Sequence, residues 1–120
     1  MSRMGKMEVK SDTYSVLYDK ENSTVSWKGS LRLSGTEEYA PIIDLLDQAI
    51  EGQPSILTLN LRDLQFLNSS GISMLSKFAI KVRQKKTIKM IVKGSQNIPW
   101  QGKSLKNLQR LMPSLTLEVD

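Results

Sequence analysis

The amino-acid sequence predicts an α/β protein, in which helices pack on a mixed β-sheet that has an antiparallel N-terminal hairpin. Two observations support this prediction. Short apolar or alternating segments, typical of strands, take turns along the chain with longer segments whose apolar residues recur at helical spacing. The first two strand-like segments follow one another directly, whereas a helical segment precedes each later one. Such strand–helix–strand connections are right-handed and join parallel strands.

The N-terminal part predicts an arm followed by the hairpin. Residues 1–12 are polar and aperiodic, so we expect a flexible N-terminal arm. Residues 14–19 favour a strand. In residues 24–33 apolar and polar side chains alternate, which places Trp27 on the core face of a second strand. Residues 19–23 form the turn between the two strands.

The segment from Gly35 to Pro54 predicts the first helix. Thr36 can cap its N-terminus, and Pro41 is tolerated in a first turn. Gly52 and Pro54 end the helix. Its apolar residues recur at helical spacing and provide one face to lie on a sheet.

The remaining segments predict three strands and two helices. Residues 55–61 form a mostly apolar run that favours a central strand covered on both faces, and residues 62–67 follow as a loop. The next helix begins near Asn68 or Ser69. The last elements are a strand over residues 87–93, a helix over residues 103–112 ended by Pro113, and a strand over residues 115–119.

Length and composition indicate one cytoplasmic domain, over residues 13–120. A chain of 120 residues can bury one core, and 39% hydrophobic and 24% charged residues are ordinary for a soluble protein. No apolar run approaches the roughly 20 residues that span a bilayer, and the N-terminus lacks the apolar region of a secretory signal. We therefore expect no membrane insertion.

Cysteine and histidine are both absent. Their absence removes thiolate nucleophiles, the commonest general base and the commonest transition-metal ligands. We therefore expect no enzyme activity, no catalytic or metal-binding residues and no cofactor.

The net charge of +5 suggests acidic partners without choosing among them. Part of the excess lies in the run KVRQKK, residues 81–86, which we interpret as a solvated helix end where cations complement the helix dipole. No interleaved aromatic residues accompany the charge, so we expect no nucleic-acid binding.

The segment NSSGIS, residues 68–73, places two serines and a glycine where a strand, a loop and a helix N-terminus meet. Helix N-termini offer unpaired N–H groups and positive potential. A serine here can act as a cap, as a phosphate acceptor, or as both, and local physics leaves these alternatives open.

The same region resembles the STAS domain of anti-sigma factor antagonists. The resemblance rests on a strand of alternating leucines, an apolar pair in the following loop, and a Ser-Ser-Gly that opens a helix. The residues that match are Leu59, Asn60, Leu61, Leu64, Phe66, Leu67, Ser69, Ser70, Gly71, Ile72 and Leu75. The order of predicted elements also fits this family, so we expect a single STAS-like domain.

This resemblance implies a non-enzymatic binding module switched by serine phosphorylation. By position the acceptor is Ser70, with Ser69 beside it. The implied partner is an anti-sigma factor or serine kinase-like protein, and a PP2C-type phosphatase resets the switch. The expected role is transcription regulation and signalling. The residues expected to bind the partner are Asn68, Ser69, Ser70, Gly71, Ser73, Met74 and Lys77.

One departure favours an alternative function. Asn68 stands where the family usually has aspartate, which removes a negative charge beside the acceptor. A STAS subunit of a transporter or stress-signalling assembly, without a phosphorylation switch, would explain this asparagine.

A second motif is a near-match to a phosphate-binding loop. The segment NIPWQGKS, residues 97–104, has Asn97 where the loop requires its first glycine. Pro99 lacks an N–H, and Trp100 is bulky where backbone must wrap phosphate. We interpret the segment as a loop that ends at a helix cap, Ser104, with Trp100 covering the edge of the sheet.

Overall fold

A computed structural model of the chain describes residues 6–120. The strands are β1 (Lys6–Lys10), β2 (Tyr14–Asp19), β3 (Thr24–Leu31), β4 (Ile56–Leu67), β5 (Lys89–Gly94) and β6 (Thr116–Val119). The helices are α1 (Gly35–Glu51), α2 (Ser69–Lys85) and α3 (Gln101–Leu111). The predicted α/β class and the predicted order of elements from β2 onward are confirmed.

The six strands form one mixed sheet in the order β1-β2-β3-β4-β5-β6. β1, β2 and β3 pair antiparallel, whereas β3, β4, β5 and β6 pair parallel. Each helix connects two neighbouring parallel strands, and all three connections advance in the same direction across the sheet. Right-handed connections of this kind place α1, α2 and α3 on the same face.

The core lies between that face and the helices. Neighbouring strands place their buried side chains in register, as in the row Val16, Trp27 and the row Leu57, Met90. Along β4 burial alternates up to Leu61. The prediction of a strand covered on both faces is therefore wrong: the second face of the sheet is open, and its side chains, such as Lys28, are polar or only partly buried.

The N-terminal segment differs from the predicted flexible arm. Residues 1–5 lie outside the described part, but Lys6–Lys10 forms β1 and pairs with β2. The short alternation in this strand explains the pairing, because Met7 and Val9 are partly buried against the core while Glu8 is exposed. Five residues of alternation are too few to stand out in a polar segment.

The predicted loop over residues 62–67 is also wrong, because β4 continues through it to Leu67. The parallel pairing of β3 with β4 shifts register between Ser26 and Lys28 and again between Gly29 and Ser30. These shifts accommodate extra residues in β4 and move its buried positions from Leu61 to Leu64 and Leu67. Because the bulges break the alternation of apolar and polar residues, the sequence pattern does not indicate a strand over this segment.

The helix boundaries differ at two N-termini. α1 begins at Gly35 with Ser34 as its N-cap residue, two residues before the predicted cap Thr36. The Ser34 backbone N–H donates to Glu38 Oε1 at 2.7 Å. α3 begins at Gln101, so the predicted cap Ser104 lies inside the helix. Among residues 6–120, none of the helices has the length and apolar character needed to cross a membrane.

Candidate functional site

The candidate site lies where the carboxyl ends of β3 and β4 meet the N-termini of α1 and α2. Leu31 at the end of β3 pairs with Leu67 at the end of β4. The backbone N–H of Asn68 then donates to Leu31 O at 3.2 Å. Because the parallel strands end at the same edge of the sheet, the junction before α1 and the N-terminus of α2 are brought together.

Asn68 is the central residue of this junction. It is the N-cap of α2, which resolves the predicted start near Asn68 or Ser69, and its Oδ1 accepts the Gly71 N–H at 3.0 Å. The same oxygen accepts the Tyr39 hydroxyl at 2.8 Å, and Asn68 Nδ2 donates to Leu33 O at 2.8 Å. One side chain therefore joins α2, α1 and the junction between β3 and α1.

Tyr39 extends this network into the core. It lies on α1 and its side chain is almost fully buried. Burial raises the pKa of the Tyr39 hydroxyl above its ordinary value of 10.0, since a phenolate is poorly solvated there; the backbone of Leu33 offsets part of the rise, and nearby Tyr14 adds to it. The neutral hydroxyl remains a hydrogen-bond donor to Asn68.

Gly71 is required by packing at this point. A methyl group added there would overlap Leu67 Cδ1 and the Tyr39 hydroxyl. The residue is helical and buried, so the reason for glycine is the close approach of α2 to its neighbours and not an unusual backbone conformation. Gly71 therefore fixes how near the first turn of α2 lies to α1.

A groove runs between α1 and α2 from this junction; we call it the α1–α2 groove. It consists of two adjoining clefts, of about 160 and 280 Å³. The first cleft is lined by Gly35, Thr36, Tyr39, Ile43, Ser70, Ser73, Met74 and Lys77. The second is lined by Thr36, Ile43, Leu46, Asp47, Met74, Lys77, Phe78 and Lys81.

The floor of the groove is apolar and its rim is charged. Leu46, Met74 and Phe78 form buried parts of the floor. At the far end Lys81 Nζ lies 2.7 Å from Asp47 Oδ1 and so connects α2 to α1. Lys77 lines both clefts. The groove thus combines an apolar floor with an acidic side chain, Asp47, on α1 and a basic side chain, Lys77, on α2.

Ser70 opens the groove and Ser69 does not line it. Ser69 and Ser70 occupy the first two positions of α2, where backbone N–H groups have no partner within the helix. Asn68 satisfies the N–H of Gly71 in this turn. Ser70 lines the first cleft, whereas Ser69 is exposed beside it.

Of the seven predicted partner-binding residues, Ser69 is exposed beside the groove, and the other six fall into two groups. Four of them line the groove: Ser70, Ser73, Met74 and Lys77. Asn68 and Gly71 instead stabilise the junction, Asn68 through its hydrogen bond to Leu33 O and Gly71 through close packing against Leu67 and Tyr39.

The opposite wall of the groove was missed by sequence reasoning. Thr36, Tyr39 and Ile43 on α1 line the first cleft together with Ser70. Ile43 was visible in the sequence as part of an apolar helix face. The contact between Tyr39 and Asn68 joins residues 29 positions apart, and no local signal announces it.

The near-match to a phosphate-binding loop has another role. Trp100 Nε1 donates to Leu64 O at 3.0 Å, and the fully buried Gln101 donates to Leu61 O at 2.6 Å and to Leu64 O at 3.1 Å. Gln101 Oε1 accepts the Ser95 N–H at 2.8 Å. The segment therefore satisfies backbone groups of the bulged β4 and anchors α3 to the sheet.

Comparison with solved structures gives extensive matches at low sequence identity. SiaC of Pseudomonas aeruginosa superposes with a TM-score of 0.74 and 12% identity over 98% of each chain. In the complex of the diguanylate cyclase SiaD with its activator SiaC, from the same organism, the match has a TM-score of 0.71 and 13% identity over 95% of this chain and 99% of that chain.

An anti-sigma factor antagonist from Mycobacterium paratuberculosis matches with a TM-score of 0.55 and 19% identity, over 92% of this chain and 83% of that chain. These likenesses confirm the predicted STAS-like fold. No protein-family model matches the chain, and no curated protein sequence matches it.

Proposed function

We propose that this chain is a non-enzymatic regulatory module that binds a partner protein at the α1–α2 groove, and that phosphorylation of Ser70 weakens this binding. The observation that carries the proposal is that Ser70 lines the same cleft as Met74 and Lys77. A modification at Ser70 would therefore change the surface that a partner contacts.

The groove has the character of a protein-binding surface. Its apolar floor can receive apolar side chains of a partner, and Met74 is a flexible residue that adapts its shape to different contacts. Lys77 and Asp47 at the rim can select a partner with complementary charge. Each cleft, at about 160 and 280 Å³, is smaller than the roughly 300–1,000 Å³ usual for small-molecule pockets, so side chains from a helix or loop of another protein suit them better.

The position of Ser70 suits a reversible phosphate. It lies in the first turn of α2, where the helix dipole and unpaired N–H groups favour negative charge, so the fold tolerates a phosphoryl group of about −1.5 to −2 charges. A partner packed on the groove would instead have to bury that charge. The two effects together would leave the fold intact and weaken the complex.

Two partner classes fit this proposal. The first is an anti-sigma factor or serine kinase-like protein with a PP2C-type phosphatase, as in anti-sigma factor antagonists acting on transcription in the cytoplasm. The second is a signalling enzyme of the diguanylate cyclase type, since SiaC is the activator of SiaD and its TM-score is the higher of the two likenesses.

A STAS-like subunit without a switch is the alternative function. Asn68 favours it, because an amide next to Ser70 lacks the charge usual at that position in the antagonists.

Affinity purification from the native cell, followed by mass spectrometry of the partner and of phosphorylated serines, tests the proposal. We expect one dominant partner that is lost when Met74→Glu places a charge in the groove. Phosphate is expected at Ser70 in the fraction that does not bind. The matched control is Ile91→Glu on the open face of the sheet, which should retain the partner. A partner that is lost with Ile91→Glu and kept with Met74→Glu would refute the α1–α2 groove as the binding surface.

A further inference from the structure

The charges of this chain are separated along the sequence. Residues 1–63 contain ten of the acidic residues, whereas residues 64–117 contain no aspartate or glutamate at all. The acid-free part contains ten cations: Lys77, Lys81, Arg83, Lys85, Lys86, Lys89, Lys93, Lys103, Lys106 and Arg110. Such asymmetry points to a partner of opposite charge.

The fold turns this separation into a surface. α1 carries five acidic residues and no basic residue, whereas α2 and α3 carry cations only. α2 and α3 are neighbours on the same face of the sheet, and Arg83 Nη1 on α2 donates to Leu111 O at the end of α3 at 3.3 Å. The helical face is therefore acidic at α1 and basic across α2 and α3.

We define the α2–α3 surface by Ile80, Arg83, Lys103, Lys106 and Arg110. All five side chains are exposed, and Ile80 is a large apolar residue with 38% of its surface accessible. The two ion pairs found within residues 6–120 do not involve the four cations of this surface. Four cations and one exposed apolar side chain thus share two neighbouring helices, and none of the four cations is in an ion pair within the described residues.

We propose that the α2–α3 surface binds an acidic segment of a partner protein, and that it is a site separate from the α1–α2 groove. Charge complementarity provides attraction and steers the encounter. Ile80 provides the apolar contact, since an apolar anchor surrounded by charges is typical of protein interfaces. The acidic segment should therefore carry an apolar residue between its carboxylates.

Other polyanions fit the surface less well. Single-stranded nucleic acids stack their bases on exposed aromatic residues. The aromatic residue of this region, Trp100, is half-buried and its Nε1 is bonded to Leu64 O. Peripheral membrane helices insert several large apolar side chains. Within residues 6–120 Ile80 is the one large exposed apolar side chain on the helices.

The test uses the full chain and a fluorescent, helix-forming peptide of repeated Glu-Leu-Glu-Glu units, with affinity measured by anisotropy at several salt concentrations. We expect binding that weakens with salt. The triple variant Lys103→Glu, Lys106→Glu and Arg110→Glu should lose affinity by about tenfold or more. Ile80→Ser should lose about fivefold.

A triple variant on the open face of the sheet provides the control. Lys28→Glu, Lys89→Glu and Lys93→Glu change the net charge equally, and affinity should stay within about twofold of the unmodified chain. Melting temperatures identify any variant that fails to fold.

Three outcomes would overturn the proposal. Equal losses in the two triple variants would mean that net charge alone attracts the peptide. Unchanged affinity of Ile80→Ser would mean that the surface has no apolar anchor. Binding of phosphatidylserine vesicles or duplex DNA through the α3 cations, without binding of the peptide, would assign the surface to a different polyanion.

Discussion

The side-chain amide of Asn68 donates to the backbone oxygen of Leu33 at 2.8 Å, and this contact joins the N-terminus of α2 to the junction before α1. An aspartate could not make it, because a carboxylate has no hydrogen to donate at neutral pH. The contact gives a structural reason for asparagine here. It also means that the missing charge beside Ser70 does not by itself indicate loss of the switch.

Asn68→Asp should accordingly destabilise the fold. The change removes the donor to Leu33 O, at a cost of about 1–3 kcal/mol. The new negative charge at the helix N-terminus stabilises the folded state by about 0.3–1 kcal/mol. We expect a net loss of about 1 kcal/mol in the free energy of unfolding, measured in urea. Equal or greater stability of the variant would show that Leu33 O has another donor in solution.

Two glycines in helices provide a matched pair. Gly71→Ala should cost about 1–3 kcal/mol, because the new methyl overlaps Leu67 and the Tyr39 hydroxyl. Gly102→Ala on α3 meets no atom within 4 Å and should stabilise the fold by about 0.5–1 kcal/mol through higher helix propensity. Urea unfolding measures both. Two changes of the same sign would contradict the close approach of α1 and α2.

Gln101 illustrates what sequence reasoning could not reach. The three helices, the strands from β2 onward and the start of α2 near Asn68 followed from apolar periodicity and capping chemistry, both of which are local, whereas β1 and residues 62–67 of β4 did not. The bulges of β4 break that periodicity. The backbone oxygen of Leu61, at the start of the bulged region, accepts a hydrogen bond from Gln101, 40 residues away in the sequence. Partners this distant are set by tertiary packing. For the same reason the sequence predicted the α2 wall of the groove, which includes Ser70, but not its α1 wall.

Gln101→Met should therefore be among the more destabilising single changes in the chain. Methionine has a similar shape but removes the Gln101 partner of the buried Leu61 oxygen and of the partly buried Ser95 N–H. We expect a loss of about 2–4 kcal/mol in the free energy of unfolding, since each orphaned group costs about 1–3 kcal/mol. Gln84→Met at an exposed position of α2 is the control and should change stability by less than about 0.5 kcal/mol.

Tyr39 predicts a pH dependence at the alkaline end. Its pKa is raised in the folded protein by burial, so the folded state keeps the phenol proton that the unfolded state releases near pH 10. This stabilisation is complete below the unfolded pKa and is lost as pH rises through the folded pKa. Tyr39→Phe should be less stable at neutral pH, because it loses the bond to Asn68, yet its stability should decline less steeply above about pH 10.

Chemical denaturation from pH 8 to 11 would measure this difference, with Tyr18→Phe as a companion. Burial first, and then nearby Asp19, also raise the Tyr18 pKa, so that variant should likewise flatten the decline. Parallel stability curves for Tyr39→Phe and the unmodified chain would mean that the Tyr39 hydroxyl is solvated in the folded state.

Ser70→Asp and Ser69→Asp separate the proposed switch from a general effect of charge. Both add one negative charge to the first turn of α2, where it favours folding by about 0.3–1 kcal/mol, so neither should lower the melting temperature. Of these two serines Ser70 lines the α1–α2 groove and Ser69 does not, so a partner bound in the groove must desolvate the charge at position 70. Ser70→Asp should weaken binding of the purified partner about tenfold or more, a cost of at least ~1.4 kcal/mol. Ser69→Asp should stay within about threefold, and Ser70→Ala should bind normally without responding to the kinase. Equal affinity of Ser70→Asp and the unmodified chain, with no phosphate acquired at Ser69 or Ser70, would replace the switch with the unswitched subunit.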